Sequence, residues 1–578
     1  MAGGYYAVAN NLVGTATSTT ATVSFVSTTL PPDWSAAFKS PFNNNNTPTD
    51  EGYISCLLDS SGNLYAAGFF FGTNTIGPTS YISPNGTYSA DIVKQTATGS
   101  PIWAVAITNN GSGSSQAYSV VPAPGNGVYV AGNYNGTNWL GTNMLRDLSA
   151  GNYAASIFLA RLDASGNPLW VRTISGTNYC FMEYYELVAD PVGNVTLSGL
   201  FWGSTTFSST NSATSTNFFA TGQQGGLAQY DANGALCWAE LTPGWIYIMS
   251  YSGGRIYGTM GTPSTSFNFG GINLVTDRAK SLVALNEANG QAIWLQGFGA
   301  PYGQNNPLNV NEYFPLVTAS GTNVFIAGTS VGSNAAFGPY TVSWPGYAHE
   351  YLGRCDTNGT PQFLTSFGGS TTMPWSLLAA PDGGVYVSGD FDTYSYFGND
   401  LIAGPHLDSI GSGYYSDAFL AKFDHNGNPL WARPAAPQAN YVNLRALTLA
   451  SDGVWACGVI KSPTAFGTNL VYSSFTCIGS PICTFAYDES GVLAKITDAA
   501  ITALPITLLN PQDNGVNFQF EFLSQSGLNH SILYRTNLAA GNWQTNSTIA
   551  GDGTLKTISI ALSVFSSSKQ GFVRVLTQ

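Results

Sequence analysis

An all-β chain assembled from seven copies of one unit is the fold class this sequence predicts, and three observations predict it. The first is a repeat. Trp34, Trp103, Trp170, Trp238, Trp294, Phe363 and Trp431 fall 69, 67, 68, 56, 69 and 68 residues apart, and self-similarity at a fixed period sets an architecture before any motif is weighed. The second is composition. Charged residues are 8% of the 578 and aromatics 13%, against about 25% charged in an ordinary globular protein. Many turn formers beside many aromatics suit strands and exclude a disordered chain. The third is turn chemistry: Asp-x-x-Gly phrases recur between short β-branched and aromatic runs.

The sixth unit shows the elements in order. Ser376–Ala380 alternates and ends at the turn Pro381-Asp382-Gly383. Gly384 to Gly389 (GVYVSG) is a second strand, and Phe397-Gly398 follows in a loop. Asp417–Phe423 is the third strand, Asp424-His425-Asn426-Gly427 turns the chain, and Pro429–Arg433 runs out through Trp431. The second strand recurs at Tyr65–Gly68, Tyr129–Gly132, Thr196–Gly199, Phe325–Gly328 and Trp455–Gly458, degenerate at Ile256-Tyr257-Gly258. The Phe-Gly step recurs at Ile76-Gly77, Leu140-Gly141, Phe269-Gly270, Phe337-Gly338 and Phe466-Gly467. The hairpin turn recurs at Asp163–Gly166, Asp231–Gly234, Glu287–Gly290, Asp356–Gly359 and Asp488–Gly491.

Four-stranded units repeated radially predict a seven-bladed β-propeller over residues 31–498, flanked by further strands. Each unit buries its faces only against neighbours, so the ring must close. The aromatic on each outer strand is placed to cover the groove to the next unit. Four positions past Gly491 stands Lys495, where the other units have an aromatic, while Trp34 opens a strand with no unit before it. The expectation is that the Trp34 strand completes the seventh unit; the competing reading makes Val492–Ile496 its outer strand.

Tyr129–Gly132 with Leu162–Trp170, and Tyr386–Gly389 with Phe423–Trp431, carry a resemblance. An aromatic-Val-Ala-Gly strand and an Asp-x-x-Gly-x-x-x-Trp hairpin resemble the secreted bacterial seven-bladed β-propeller repeat family, over about residues 33–498. The resemblance implies a cell-surface or extracellular location and brings no catalytic residues. The short fourth unit, Phe363 and Lys495 depart from the pattern.

Residues 1–30, with Gly3-Gly4-Tyr5, Asn11-Leu12-Val13-Gly14 and an alternating Thr20–Phe25, resemble the last two strands of a bacterial immunoglobulin-like domain. Two strands alone are marginal in water. Either the start is truncated or processed, or these strands add to the sheet edge of another subunit. Met1-Ala2-Gly3-Gly4-Tyr5 lacks the basic-then-apolar pattern of a signal peptide. Residues 504–578 hold an alternating Asn517–Phe522, then Ser531–Arg535, Trp543 and Phe572–Val575. They resemble the small C-terminal β-sandwich modules of large secreted planctomycete and verrucomicrobial proteins.

The net charge of −13 leaves no basic footprint for nucleic acid, and no apolar run of 18 residues predicts a membrane span. Seven cysteines leave at least one unpaired within the chain. Cys477 and Cys483 frame a short loop and could bridge, whereas Cys56, Cys180, Cys237, Cys355 and Cys457 read as small apolar fillers in strands. Asp231, Asn233, Asp356, Asn358, Asp424 and Asn426 supply oxygens that suit calcium, yet a tight turn leading straight into a strand needs those residue types on its own account. The longer loops keep calcium open as a cofactor. Asp91 and Asp417 read as caps at the start of equivalent third strands. No Gly-x-Ser-x-Gly, P-loop or His-Glu-x-x-His phrase occurs.

Loops after the outer strands face one end of the ring and carry a candidate ligand face: Tyr179, Glu183, Tyr184, Asn306, Glu312 and Tyr313. Aromatic rings with amides and carboxyls suit sugars. The leading functional expectation is a non-enzymatic extracellular structural or adhesion protein that self-associates through its terminal strands. The alternative is a carbohydrate-binding or carbohydrate-active propeller with polysaccharide as partner.

Overall fold

The computed structural model describes residues 3–5, 8–11, 14–17, 21–23, 32–39, 52–59, 61–76, 79–84, 86–111, 113–147, 155–177, 179–182, 187–208, 216–301, 315–331, 334–344, 348–369, 372–392, 394–398, 400–403, 416–437, 441–471, 475–478, 484–487, 490–498, 509–513, 516–524, 529–535, 544–550, 555–565 and 572–577. Two units divide the chain, Met1–Pro32 and Asp33–Gln578. Every described strand pairing is antiparallel, so the protein is all-β with many sheets.

The first unit is a two-stranded ribbon. Gly3–Tyr5 pairs with Ala21–Val23, and Val8–Asn11 pairs with Gly14–Thr17.

In the second unit, four-stranded meanders follow one another along the chain. The sixth is Met373–Ala379, Val385–Phe391, Asp417–Phe423 and Pro429–Pro437, hydrogen-bonded in that order. The innermost strands of the others are Gly52–Leu58, Ser114–Ala123, Leu187–Ala189, Ile246–Ser252, Leu316–Ser320 and Val442–Ala450. The seventh sheet takes its outer strand from the other end of the chain: Trp34–Lys39 pairs with Ser490–Thr497.

That pairing corrects three readings. Val492–Ile496 lies in the third strand of the seventh sheet, between Gly453–Ile460 and Trp34–Lys39, and is not an outer strand. Gly491 is therefore within a strand, opposite Val459, and Asp488–Gly491 is not the outer hairpin turn. Trp34 is also out of step. The other six aromatics stand opposite Lys94, Arg161, Gln229, Ala284, Arg354 and Lys422. Opposite the equivalent Lys495 is Ala36, with Trp34 two residues earlier. Trp34 turns back to the sixth sheet, donating from Nε1 to the Pro434 carbonyl at 2.9 Å with its ring 5.1 Å from Phe466.

The regular aromatics reach forward instead. Nε1–H donates to a backbone carbonyl in the next sheet's outer turn: Trp103 to Ala164, Trp170 to Ala232, Trp238 to Glu287 and Trp294 to Thr357, at 2.9–3.0 Å. The ring lies on that turn's glycine. Gly234 has φ +77°, and a Cβ there would come within 2.8 Å of the Trp170 ring. Glycine is thus required twice, for conformation and for clearance.

The Phe-Gly steps are hairpin turns rather than loops. Thr137–Leu140 and Asn143–Arg146 form a hairpin whose first strand adds to the preceding sheet, Leu140 opposite Ile107. Phe337 opposite Phe298 and Phe466 opposite Ala435 repeat the arrangement. These three hairpins strap their sheets to the one before.

Basic residues of the third strands lie over the aromatics of the second. Lys94 sits 4.7 Å from the Tyr65 ring and Lys422 5.1 Å from that of Tyr386. Their ammonium groups pair with Asp59 at 2.9 Å, and with Asp382 at 2.7 Å and Asp498 at 2.8 Å. Fully buried Lys422 is tolerable only because it is paired and hydrogen-bonded.

Near the C-terminus, Leu509–Asp513, Asn517–Leu523 and Leu555–Ala561 form one three-stranded sheet, and Gln544–Ala550, Asn529–Arg535 and Phe572–Thr577 form another. Phe520, Phe522, Ile532, Ile558 and Ile560 from both make one core.

Truncating Trp170 to alanine is expected to lower stability by about 3–5 kcal/mol, as for a buried aromatic, measured as the shift in denaturant unfolding. A loss below about 1 kcal/mol would contradict its role between sheets.

Candidate functional site

Of the ligand face read from the sequence, Tyr179 lies in the short strand Tyr179–Phe181, whose backbone pairs with Leu200–Trp202. Glu183, Tyr184, Asn306, Glu312 and Tyr313 lie outside the described residues, as does Cys483.

What the fold brings together is a central cavity of about 320 Å³ lined by all seven innermost strands. Each contributes at least one residue: Ser55, Ser119, Val188, Ser250, Thr318, Ser376 and Ala446 are examples. The described lining is small, neutral and mixed polar–apolar, with Tyr251 and Trp375 its aromatic members.

The innermost strand of a meander is a sheet edge, so half of its backbone N–H groups have no partner within its own sheet. Hydroxyls of the neighbouring sheet meet several of them. Ala319 N donates to Ser250 Oγ at 2.9 Å, Val120 N to Ser55 Oγ at 3.2 Å, and Ala379 N to Thr318 Oγ1 at 3.2 Å. Leu58 N donates to Thr448 Oγ1 at 3.2 Å, which carries the same rung from the seventh sheet to the first. These hydroxyls at the cavity wall are thus engaged in joining sheets.

Bulges shape the cavity wall. The register of five inner strands slips by one residue, making Ile54, Tyr118, Met249, Trp375 and Arg445 the extra residues. A bulge re-aims a side chain. At Trp375 it lets the indole Nε1 donate to Asp390 Oδ1 at 2.9 Å. Burial pushes Asp390 up to about 7. Nearby Asp417 is pushed up to about 8 by burial and then by the charge of Asp392, and burial also drives Glu350 well above the usual carboxylate range. Among the described residues, no group of three or more His, Cys, Asp or Glu side chains is arranged to hold a metal ion.

Asp91 and Asp417 do not occupy equivalent places. Asp91 is opposite Gly68 within its strand, whereas Asp417 is opposite Phe391, two residues nearer the strand start. Asn74 donates to Asp91 at 3.3 Å, so the residue is tied down inside the sheet.

The Asp-x-x-Gly carboxylates face their own turns. Asp163 Oδ1 accepts from Ser165 N and Asn167 N, and Oδ2 from Asn167 Nδ2. The Asn167 backbone N–H holds Asp163 below its ordinary range. Asp231, Asp356 and Asp424 accept the same pair of backbone donors. In the first unit Thr96 does this work, a substitution that hid the turn from a search for acids. In the fourth, Asn286 and not Glu287 caps the turn. Glu287 instead meets Asp190 of the third sheet; burial first, and then the hydrogen bond its own protonated carboxyl donates to Asp190, push it up to about 7.

No known family description matches the sequence, and no curated protein does. Among solved structures, a crystal structure of a protein of unknown function from Dyadobacter fermentans DSM 18053 aligns over 80% of this chain and 98% of its own, at 8% identity and a TM-score of 0.30. Similarity at that level transfers neither fold nor function.

Two outcomes follow from this chemistry. Thr318→Val keeps the shape but leaves the Ala379 N–H unpaired, which is expected to cost about 1–3 kcal/mol in denaturant unfolding. The second concerns pH. Glu287, Asp390 and Asp417 keep their protons in the fold up to about pH 7, 7 and 8, whereas unfolded carboxyls lose theirs near pH 4. The folded state therefore binds more protons in that window. The stabilising contribution is full below the unfolded range and is lost as pH rises through the folded values. The denaturation midpoint should fall between about pH 5 and 8, and Glu287→Gln should flatten part of the fall; an unchanged slope in that variant would exclude Glu287 as a source.

Proposed function

We propose that the chain is a non-enzymatic extracellular structural or adhesion protein of a cell-surface or filamentous assembly. In this reading the seven sheets are the blades of a seven-bladed β-propeller that serves as a rigid frame, and the terminal strands make the subunit contacts. Four-stranded meanders in sequence, inner strands around one cavity, and hydroxyl rungs that run from the seventh sheet to the first support the propeller. The observation that carries the assembly role is the ribbon within residues 3–23. Both of its edges are unpaired among the described residues, and it bears no charged side chain. An uncharged ribbon with open edges is a template for strand addition, and two strands alone are marginal in water.

Negative-stain images and sedimentation are expected to show concentration-dependent polymers that disappear when residues 1–30 are deleted. A full-length protein that stays monomeric at every concentration would contradict the assembly role, and a ring of six or eight sectors would contradict the frame.

A second reading is carbohydrate binding, favoured by the neutral cavity with Tyr251 and Trp375 in its wall. It predicts a hit on a polysaccharide array that is lost in Trp375→Ala, with polymerisation unaffected.

A further inference from the structure

Cys56 and Cys457 lie on opposite sides of the junction between the first and seventh sheets. Cys56 is on the innermost strand of the first, and its Sγ donates to the Ala446 carbonyl at 3.8 Å. Ala446 stands directly opposite Cys457 in the seventh sheet, so the two side chains share a face. Both cysteines belong to one buried cluster with Tyr53, Leu64, Leu493 and Ala446. Of the described free cysteines, Cys180 contacts Thr205, Cys355 lies in the fifth sheet and Cys237 is exposed. Cys56 also lines the central cavity, which gives a small oxidant a route to it.

We infer that Cys56 and Cys457 form a cross-linking site that closes the sheet series covalently. With a small-molecule disulfide such as oxidised glutathione as oxidant, the Cys56 thiolate attacks one sulfur and expels a glutathione thiolate, leaving a mixed disulfide. Cys457 sulfur then attacks Cys56 Sγ, gives up its proton and displaces the second glutathione, which takes up that proton. The protein loses two protons and two electrons, and the oxidant becomes two thiols. Cys56 lines the cavity whereas Cys457 is fully buried, which fits Cys56 as the first attacker. The bond would span the chain from residue 56 to 457 and so enclose the sheets between them. The antiparallel ladder of Trp34–Lys39 on Ser490–Thr497, the other tie across the chain ends, rests on hydrogen bonds and packing.

The full-length protein is incubated with oxidised glutathione, digested without reductant and mapped by mass spectrometry. A peptide pair joining Cys56 to Cys457 is expected, absent from Cys56→Ala and from Cys457→Ala. Glutathione retained on Cys56, pairing of either residue elsewhere, or two unreacted thiols would overturn the inference. Denaturant unfolding adds a second readout. The oxidised protein should unfold at a higher midpoint than the reduced one, and reductant should return it to the midpoint of the untreated protein; equal midpoints in a protein shown to be cross-linked would overturn its role as a staple.

Discussion

The contact on which the rest depends is an aromatic ring laid over a glycine turn. Five outer strands carry a ring that rests on the glycine of the next sheet's turn, and four of these rings are indoles that also donate to a carbonyl there. A single four-stranded meander cannot bury both of its faces. A neighbour held at fixed spacing by that ring can cover one of them, and repetition makes stability a sum of nearest-neighbour terms. The ring tolerates change where shape is kept. Phe363 has no N–H to donate, yet it still covers Gly427, where a Cβ would come within 2.4 Å of it.

Polar chemistry in the molecule serves the same frame. Hydroxyls satisfy the edge strands around the cavity, turn aspartates hold their own backbone, and basic side chains lie over aromatic faces. A chain with so few charges has little left for a charged ligand site, and the cavity wall is accordingly neutral. The acids that stand apart are buried ones. Asp390, Asp417 and Glu350 cluster in burial rather than at the surface, and each keeps its proton more tightly than a free carboxyl does.

Much of this was legible because the repeat is written in residues with strict local needs. Asp, Asn and Gly mark turns, and β-branched or aromatic runs mark strands, so the order of strands in the sixth unit is the one its sequence implies. The Trp34 strand was also legible as the partner of the seventh sheet, but its register was not. Spacing alone equated Trp34 with the other aromatics, but Ala36 holds their position, and Trp34 stands where Pro101, Pro168 and Pro429 stand in other sheets. The Asp488–Gly491 phrase misled because a hairpin, Phe475–Ile478 with Thr484–Tyr487, is inserted before the third strand and places a turn-like sequence at its start. The Phe-Gly hairpins were hidden for another reason: strands of four residues carry too little periodicity to be read. The cavity and the Cys56–Cys457 approach join residues hundreds of positions apart, and nothing local announces either.

The strand Trp34–Lys39 precedes the other strands of the sheet series in the chain and pairs with the last of them. Until Ser490–Thr497 emerges it has no partner, and the growing stack ends in a raw edge at either side. Such long-range closure is slow and exposes unpaired edges to other chains meanwhile. A molecule latched in this way matures in one late step, so its vulnerable interval is set by the length of the polypeptide and not by the stability of any single sheet.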